Sequence, residues 1–206
     1  MWKVLAFVFF FTLSGIVWAP VAVYADYSPS GKNWMKNLDD DLLITQITIP
    51  GTHDSAADHD HCYESVSCKD NHLMVVCQTS NIQDQMEVGV RFFDVRLAYD
   101  QHGDRGFEFH HKPYDLKQSI GDAIGWAEDF LKENPSEFLI WLVKQEHTDE
   151  DADAFWRDLS AEFTDRSIEF YSEKKILTVR EARGKVIVMA RNKSTEYPQG
   201  YHVEWP

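Results

Sequence analysis

The stretch FLIWLVKQE, Phe138–Glu146, is apolar through Val143 and charged from Lys144 onward. A strand with one face in water alternates apolar and polar residues, whereas a strand covered on both faces does not. The run is therefore predicted to be an interior strand, 138–146, of a sheet clothed in helices. Its neighbours agree. Upstream, LKQSIGDAIGWAEDFLKENPSE sets Ile120, Ile124, Ala127 and Leu131 three and four residues apart, a helical face that Asn134-Pro135 stops. Downstream, Phe155, Leu159 and Phe163 mark a second helix over roughly 150–163. A short helix near 177–183 leads to Gly184 and to another β-rich run, KVIVMAR, 185–191.

The alternation continues toward the N-terminus. VRFFDVRLA, 90–98, and FEFHHK, 107–112, read as strands on either side of the turn-rich YDQHGDRG. NIQDQMEVG places Ile82 and Met86 on one helical face and ends at Gly89. LLITQITIPGTHDS predicts a first strand over 43–49, broken by Pro50-Gly51, after a short helical start in SPSGKNWMKNL. The tail NKSTEYPQGYHVEWP has no clear period. Strands alternating with helices imply a parallel α/β sheet, either doubly wound or a (β/α) barrel. No GxGxxG follows the first strand, so the dinucleotide-binding version loses support. A complete barrel takes about 250 residues, and this chain has 206, with about five of eight strands visible. The expected fold is an incomplete TIM-type barrel, and the expected reason is that the chain is part of a longer protein.

Composition narrows the class. A hydrophobic share of 44% beside 26% charged residues is that of a folded globular chain. Residues 1–25 stand apart: Lys3 precedes a long apolar run that ends Val23-Tyr24-Ala25, the pattern of a secretory signal peptide cut after Ala25. The alternative is a retained membrane anchor. Export leaves one domain, 26–206, outside the cell. The net charge of −14, one unit more negative once Lys3 is removed, excludes nucleic-acid binding through bulk charge and predicts repulsion from strongly anionic membranes. An anionic ligand must be caught by a local basic cluster. Cys62, Cys68 and Cys77 predict one disulfide with an unassigned partner and one leftover thiol.

That basic cluster is visible. His53 and Asp54 follow the first predicted strand, Asp94 and Arg96 share one side of the second, His111 ends the third, Lys144 the fourth and Arg191 the fifth. In a parallel sheet such strand ends meet on one rim, where α/β barrels build their sites. Two histidines can act as general base and general acid near neutral pH, and Arg96, Lys144 and Arg191 form a cationic floor for a phosphate. In-line attack by a hydroxyl on a phosphodiester needs no more, and no cofactor or metal is expected.

These residues resemble the X-domain of phosphatidylinositol-specific phospholipase C, of the small secreted bacterial type. The resemblance covers about 30–206 and rests on IPGTHDS, GVRFFDVRLA, FEFHHK, AEDFLKENPSEFLIWLVKQE and ARGKVIVMAR. It implies His53 as the base that deprotonates the inositol 2-hydroxyl, and His111 as the acid that protonates the departing diacylglycerol oxygen. It implies Arg96 as the group that neutralises the phosphate, with Asp54 bonded to Arg96 or to the reacting hydroxyl. Asp94 resembles the carboxylate that supports the acid, and Lys144 and Arg191 resemble residues contacting inositol hydroxyls. The products would be inositol 1,2-cyclic phosphate and diacylglycerol, formed from phosphatidylinositol or its glycosylated anchors at a membrane surface by a monomer. Calcium-dependent members carry carboxylates where Arg96 and Lys144 stand, so the resemblance implies catalysis without a metal.

Two departures are visible. Lys112 follows His111 where the family usually has glycine, and the family's carboxylate partner for the base, with an aromatic that stacks on inositol, comes from a region this sequence does not contain. A non-catalytic inositol-phosphate or lipid-binding remnant is the competing class. A metal-dependent glycerophosphodiesterase would want carboxylates at 96 and 144. The segment HDHCYESVSCKDNHLMVVC, 59–77, reads either as a zinc site through His59, His61 and Cys62 or as a disulfide-tied loop over the site mouth. Trp34, Trp126 and Trp156 are expected in packing rather than at a membrane.

Overall fold

The computed structural model describes residues 31–100, 106–146, 151–191 and 200–203; the expected signal peptide over 1–25 lies outside the described residues. Strands are β1 Gly51–Thr52, β2 Phe92–Asp100, β3 Gly106–His111, β4 Tyr114–Ser119, β5 Leu139–Gln145, β6 Glu169–Tyr171, β7 Lys185–Ala190 and β8 Tyr201–His202. Helices are α1 His59–Glu64, α2 Val66–Asp70, α3 His72–Val75, α4 Ile82–Glu87, α5 Ile120–Glu133, α6 Ala152–Glu162 and α7 Val179–Ala182.

FLIWLV forms the centre of the sheet. β5 pairs in parallel with β2 on one side and β7 on the other, in the order β4-β3-β2-β5-β7-β6, with β1 beside β2 and β8 beside β7. Alternation along the strands sorts the side chains into two cores. Leu139, Trp141 and Val143 join Phe93, Val95, Leu97, Val186 and Val188 against Ile124 and Leu131 of α5 and Phe155 and Leu159 of α6. Phe138, Ile140 and Ile187 face the other way, into a second cluster with Met35, Leu177 and Val179. Asp94, Arg96 and Lys144 lie on the even-numbered face of their strands, with Phe92 and Ile140, away from the helices.

At the foot of this sheet, Arg91 and Glu137 are completely buried and paired, with Arg91 Nη2 2.9 Å from Glu137 Oε2. Arg91 also donates to the carbonyls of Met86 and Val90, at 2.7 and 2.8 Å, and Glu137 accepts from Met35 N at 3.1 Å. The NPSE segment thus supplies the counter-ion that lets β2 and β5 begin side by side.

Several expectations are corrected. The residues 43–49 hold a 3-10 turn, Ile44–Gln46, rather than a strand; Leu43 makes an isolated antiparallel bridge to Thr178, and strand pairing begins at β1. Pro50 has no N–H to give a ladder, and its carbonyl instead accepts from Arg91 N and Phe92 N at 3.0 and 3.1 Å. Gly51 packs closely beside β2, where a Cβ would stand 3.0 Å from Phe92 Cβ and press on it. The sheet is mixed rather than parallel: β3 runs antiparallel to β2 and β4 antiparallel to β3. The connections are too short for a crossover, which needs a dozen residues or more. β4 replaces the predicted start of the long helix, since Ser119 caps α5 through Asp122 N at 3.1 Å. β6 and β8 were not predicted and bring the strands to eight among the described residues, with β4 and β6 at the ends of the path. The predicted helices at 150–163 and 177–183 appear as α6 and α7. Trp156 is buried, and Trp34 and Trp126 pack partly covered against the two cores.

The three cysteines resolve as a Cys62–Cys68 disulfide clasping α1 to α2 and a free, exposed Cys77. The zinc reading fails on this account, because Cys62 has no thiolate to offer. His61 Nδ1 is bonded to Asp58 Oδ2 at 2.8 Å, and His59 stacks on Tyr63.

Candidate active site

β2 and β5 place Arg96 directly opposite Lys144 in their parallel register. Around that pair the chain turns at the end of β1, at the β3–β4 hairpin and at the end of β7, and each turn delivers a polar side chain. The β1 turn is held by Ser55, whose N–H donates to Asp94 O at 3.0 Å while its hydroxyl accepts from Asp94 N at 2.9 Å. Asp54 sits in that turn with φ 47°, the left-handed region, and its N–H donates to Asp94 Oδ2 at 3.0 Å.

Asp94 Oδ2 is the hub. It accepts from Arg96 Nε at 3.0 Å, meets Arg96 Nη2 at 3.0 Å and lies 3.1 Å from His53 Nδ1. Arg96 Nη1 reaches Asp54 Oδ2 at 3.2 Å and stands 3.9 Å from Glu146 Oε1. Arg191 Nη1 approaches Asp94 Oδ1 at 3.6 Å. His111 Nδ1 donates to Val75 O at 2.9 Å, and its Nε2 is 3.7 Å from Asp54 Oδ2. Lys144 is ion-paired with Glu146, which also accepts from Lys112 N at 3.0 Å. Asp54, Asp94 and Glu146 are buried, whereas the His53 side chain is 59% exposed and open to a ligand.

Electrostatics divide the site. Burial pushes the Asp54 carboxyl up to about 7, with Arg96 pulling against it. Burial also pushes His111 below the usual imidazole range, against the opposing hydrogen bond to Val75 O. A carboxyl that clings to its proton and an imidazole that sheds one thus stand side by side.

All seven residues singled out from the sequence come together here: His53, Asp54, Asp94, Arg96, His111, Lys144 and Arg191. Their partnerships differ from expectation in one respect. Asp94 lies against His53 and Arg96, and the carboxylate beside His111 is Asp54. His53 therefore has a carboxylate neighbour within the described residues. Sequence reasoning missed Glu146, although it lies two residues beyond Lys144 on the same strand face and the same alternation would have found it. It also missed Cys77, Gln78 Nε2, which donates to His53 O at 2.5 Å, and the Val75 carbonyl. Nothing in the local pattern marks those three.

No protein-family profile matches the chain. The fold is that of an incomplete TIM-type barrel: a solved structure of the phosphatidylinositol-specific phospholipase C from Staphylococcus aureus superposes with a TM-score of 0.71 at 24% identity, covering 86% of this chain and 59% of that one. The Listeria monocytogenes enzyme gives 0.65 at 24% identity, over 86% and 65%. In sequence, the chain is a homologue of proteins named 1-phosphatidylinositol phosphodiesterase. It is 28% identical over 182 residues to the one from Staphylococcus aureus strain Newman, spanning 84% of this chain and 55% of that protein. It is 28% identical over 172 residues to the Listeria monocytogenes one, and 25% identical over 130 residues to a PI-PLC X domain-containing protein of Danio rerio. The chain spans about half the length of these curated relatives.

Proposed function

We propose that the chain cleaves phosphatidylinositol, free or in glycosylated anchors, to inositol 1,2-cyclic phosphate and diacylglycerol. The observation that carries this reading is the placement of two histidines on either side of Arg96, each with its own carboxylate. His53 takes the proton of the inositol 2-hydroxyl, with Asp94 orienting the ring. The freed oxygen attacks phosphorus, and the bond from phosphorus to the diacylglycerol oxygen breaks. Val75 O occupies the Nδ1 proton of His111, so Nε2 exchanges protons, drawing on Asp54 to protonate the leaving oxygen. Arg96 neutralises the phosphate oxygens as charge develops. Lys144 and Arg191 receive the inositol hydroxyls. Arg96 supplies the positive charge that calcium supplies in other members of the resembled family, so no metal is assigned to the reaction.

The Cys62–Cys68 disulfide fits an exported protein and supports the reading of residues 1–25 as a leader. Val66, Leu73 and Met74, all largely exposed on α2 and α3 beside the site, are suited to rest on lipid as a peripheral contact. Among the described residues no helix is long and apolar enough to cross a membrane.

The test is turnover on vesicles containing phosphatidylinositol, read by phosphorus NMR in excess chelator. Cyclic phosphate should form, and His53→Gln or His111→Gln should lower the rate about 10²–10⁴-fold, the worth of a lost acid or base. Binding without cyclic phosphate would identify the remnant instead. Activity abolished by chelator and restored by calcium would remove the metal-free mechanism.

A further inference from the structure

Cys77 takes no part in the proposed reaction, yet a ring nitrogen of His53, a carboxylate oxygen of Asp54 and Cys77 Sγ all lie within 4.8 Å of one another. Asp54 is buried, and its Oδ2 accepts no hydrogen bond among the described residues, meeting Arg96 Nη1 at 3.2 Å and His111 Nε2 at 3.7 Å as charge contacts alone. We infer that these three residues form an inhibitory site for a zinc-like ion, which silences the chain by occupying the imidazole of His53.

The ligand set chooses the ion. Thiolate, imidazole and carboxylate together suit borderline-soft zinc, whereas calcium and magnesium want oxygen alone. Bond lengths of about 2.0–2.3 Å place tetrahedral ligands roughly 3.3–3.8 Å apart. Where the present spacing, at most 4.8 Å, exceeds this, the exposed side chains of His53 and Cys77 can close it by rotating. Three protein ligands leave a fourth position for water. Binding replaces the Sγ–H bond by an Sγ–metal bond and any O–H bond of the Asp54 carboxyl by an O–metal bond, and the protons pass to solvent. The nearby guanidinium of Arg96 does not oppose the ion unscreened, because Asp54, Asp94 and Glu146 all lie within 3.9 Å of it.

Binding stands on geometry alone, while inhibition rests on the function proposed above, and the experiment separates the two. Cobalt(II) is titrated into the purified protein and the thiolate-to-cobalt charge-transfer band is followed. Zinc inhibition of vesicle turnover is measured in parallel. Wild type should show the band, lose turnover in micromolar zinc and recover it with chelator. Cys77→Ser should turn over at the wild-type rate, show no band and need at least tenfold more zinc for half-inhibition. Capping the thiol of the folded wild type with methyl methanethiosulfonate must give the same result, which covers a Cys77→Ser chain that does not fold. No band in the wild type, or an unchanged zinc response in both thiol-blocked forms, overturns the inference. A band without turnover in any sample upholds the site and sinks the phospholipase reading instead.

Discussion

Burial lifts the Asp54 carboxyl to about 7 even though Arg96 stands 3.2 Å away. An unfolded aspartate titrates near 4, so between about pH 4 and about pH 7 the folded chain keeps a proton that the unfolded chain has released. The stability tied to that proton is complete below the unfolded value and is lost as pH rises through the folded one. His111 acts in the opposite sense. Its depressed pKa contributes stability above the ordinary imidazole value, and that contribution is lost as pH falls through the folded value. Comparing Asp54→Asn with wild type isolates the carboxyl. The wild-type melting temperature should fall more steeply than that of Asp54→Asn between about pH 5 and about pH 7.5. Parallel curves would show an ordinary carboxylate. At this scale the sequence was readable wherever a polar residue interrupted or ended an apolar strand, as at Arg96, Lys144 and Arg191. It was not readable where a contact depends on a loop's path. His53 has Asp94 as its neighbour and His111 has Asp54 because the β1 turn folds Asp54 inward with φ 47°, which strand spacing does not announce.

Among the elements, β2 and β5 depend on a pair of charges that never meets water. Removing one partner of a buried ion pair leaves the other uncompensated and costs about 3–5 kcal/mol. Arg91→Met should therefore lower the unfolding free energy by about that amount, since Glu137 would keep its burial and lose its counter-ion. Urea denaturation with an unchanged slope is the measurement, and a loss below about 1 kcal/mol would mean that Glu137 simply takes up a proton. The β3–β4 hairpin explains the departure at Lys112. That residue has φ 54° in the two-residue turn between His111 and Tyr114, where glycine is the unstrained occupant. Lys112→Gly should stabilise the chain by about 1 kcal/mol while keeping the backbone N–H that Glu146 accepts. A drop in melting temperature would refute this. The long buried strands and helices were legible because their periods are strong. β4 was hidden because buried Gln118, bonded to Ala56 O at 2.8 Å, stands where an apolar residue would have shown the alternation. β1, β6 and β8 are too short to carry a period at all.

For the whole molecule, a formal charge of −14 opposes the approach to an anionic surface that the proposed substrate requires. Initial rates on phosphatidylinositol diluted in phosphatidylcholine should exceed those on a fully anionic vesicle at low ionic strength, and added salt should narrow the gap. A salt-independent ratio would place the barrier elsewhere. The barrel class was legible because interior strands and covering helices recur along the chain. Its mixed sheet was not, because antiparallel pairing is set by connection length rather than by side-chain pattern. The β2–β5 register carries one more implication. Arg96 and Lys144 are neighbours only once two strands far apart in the chain have zipped together, and the entropy of closing that loop is spent before any contact repays it. Every group of the candidate site is present in the newly made polypeptide, yet none is in place until the sheet is assembled. On the function proposed above, an unfolded chain would be harmless to lipid.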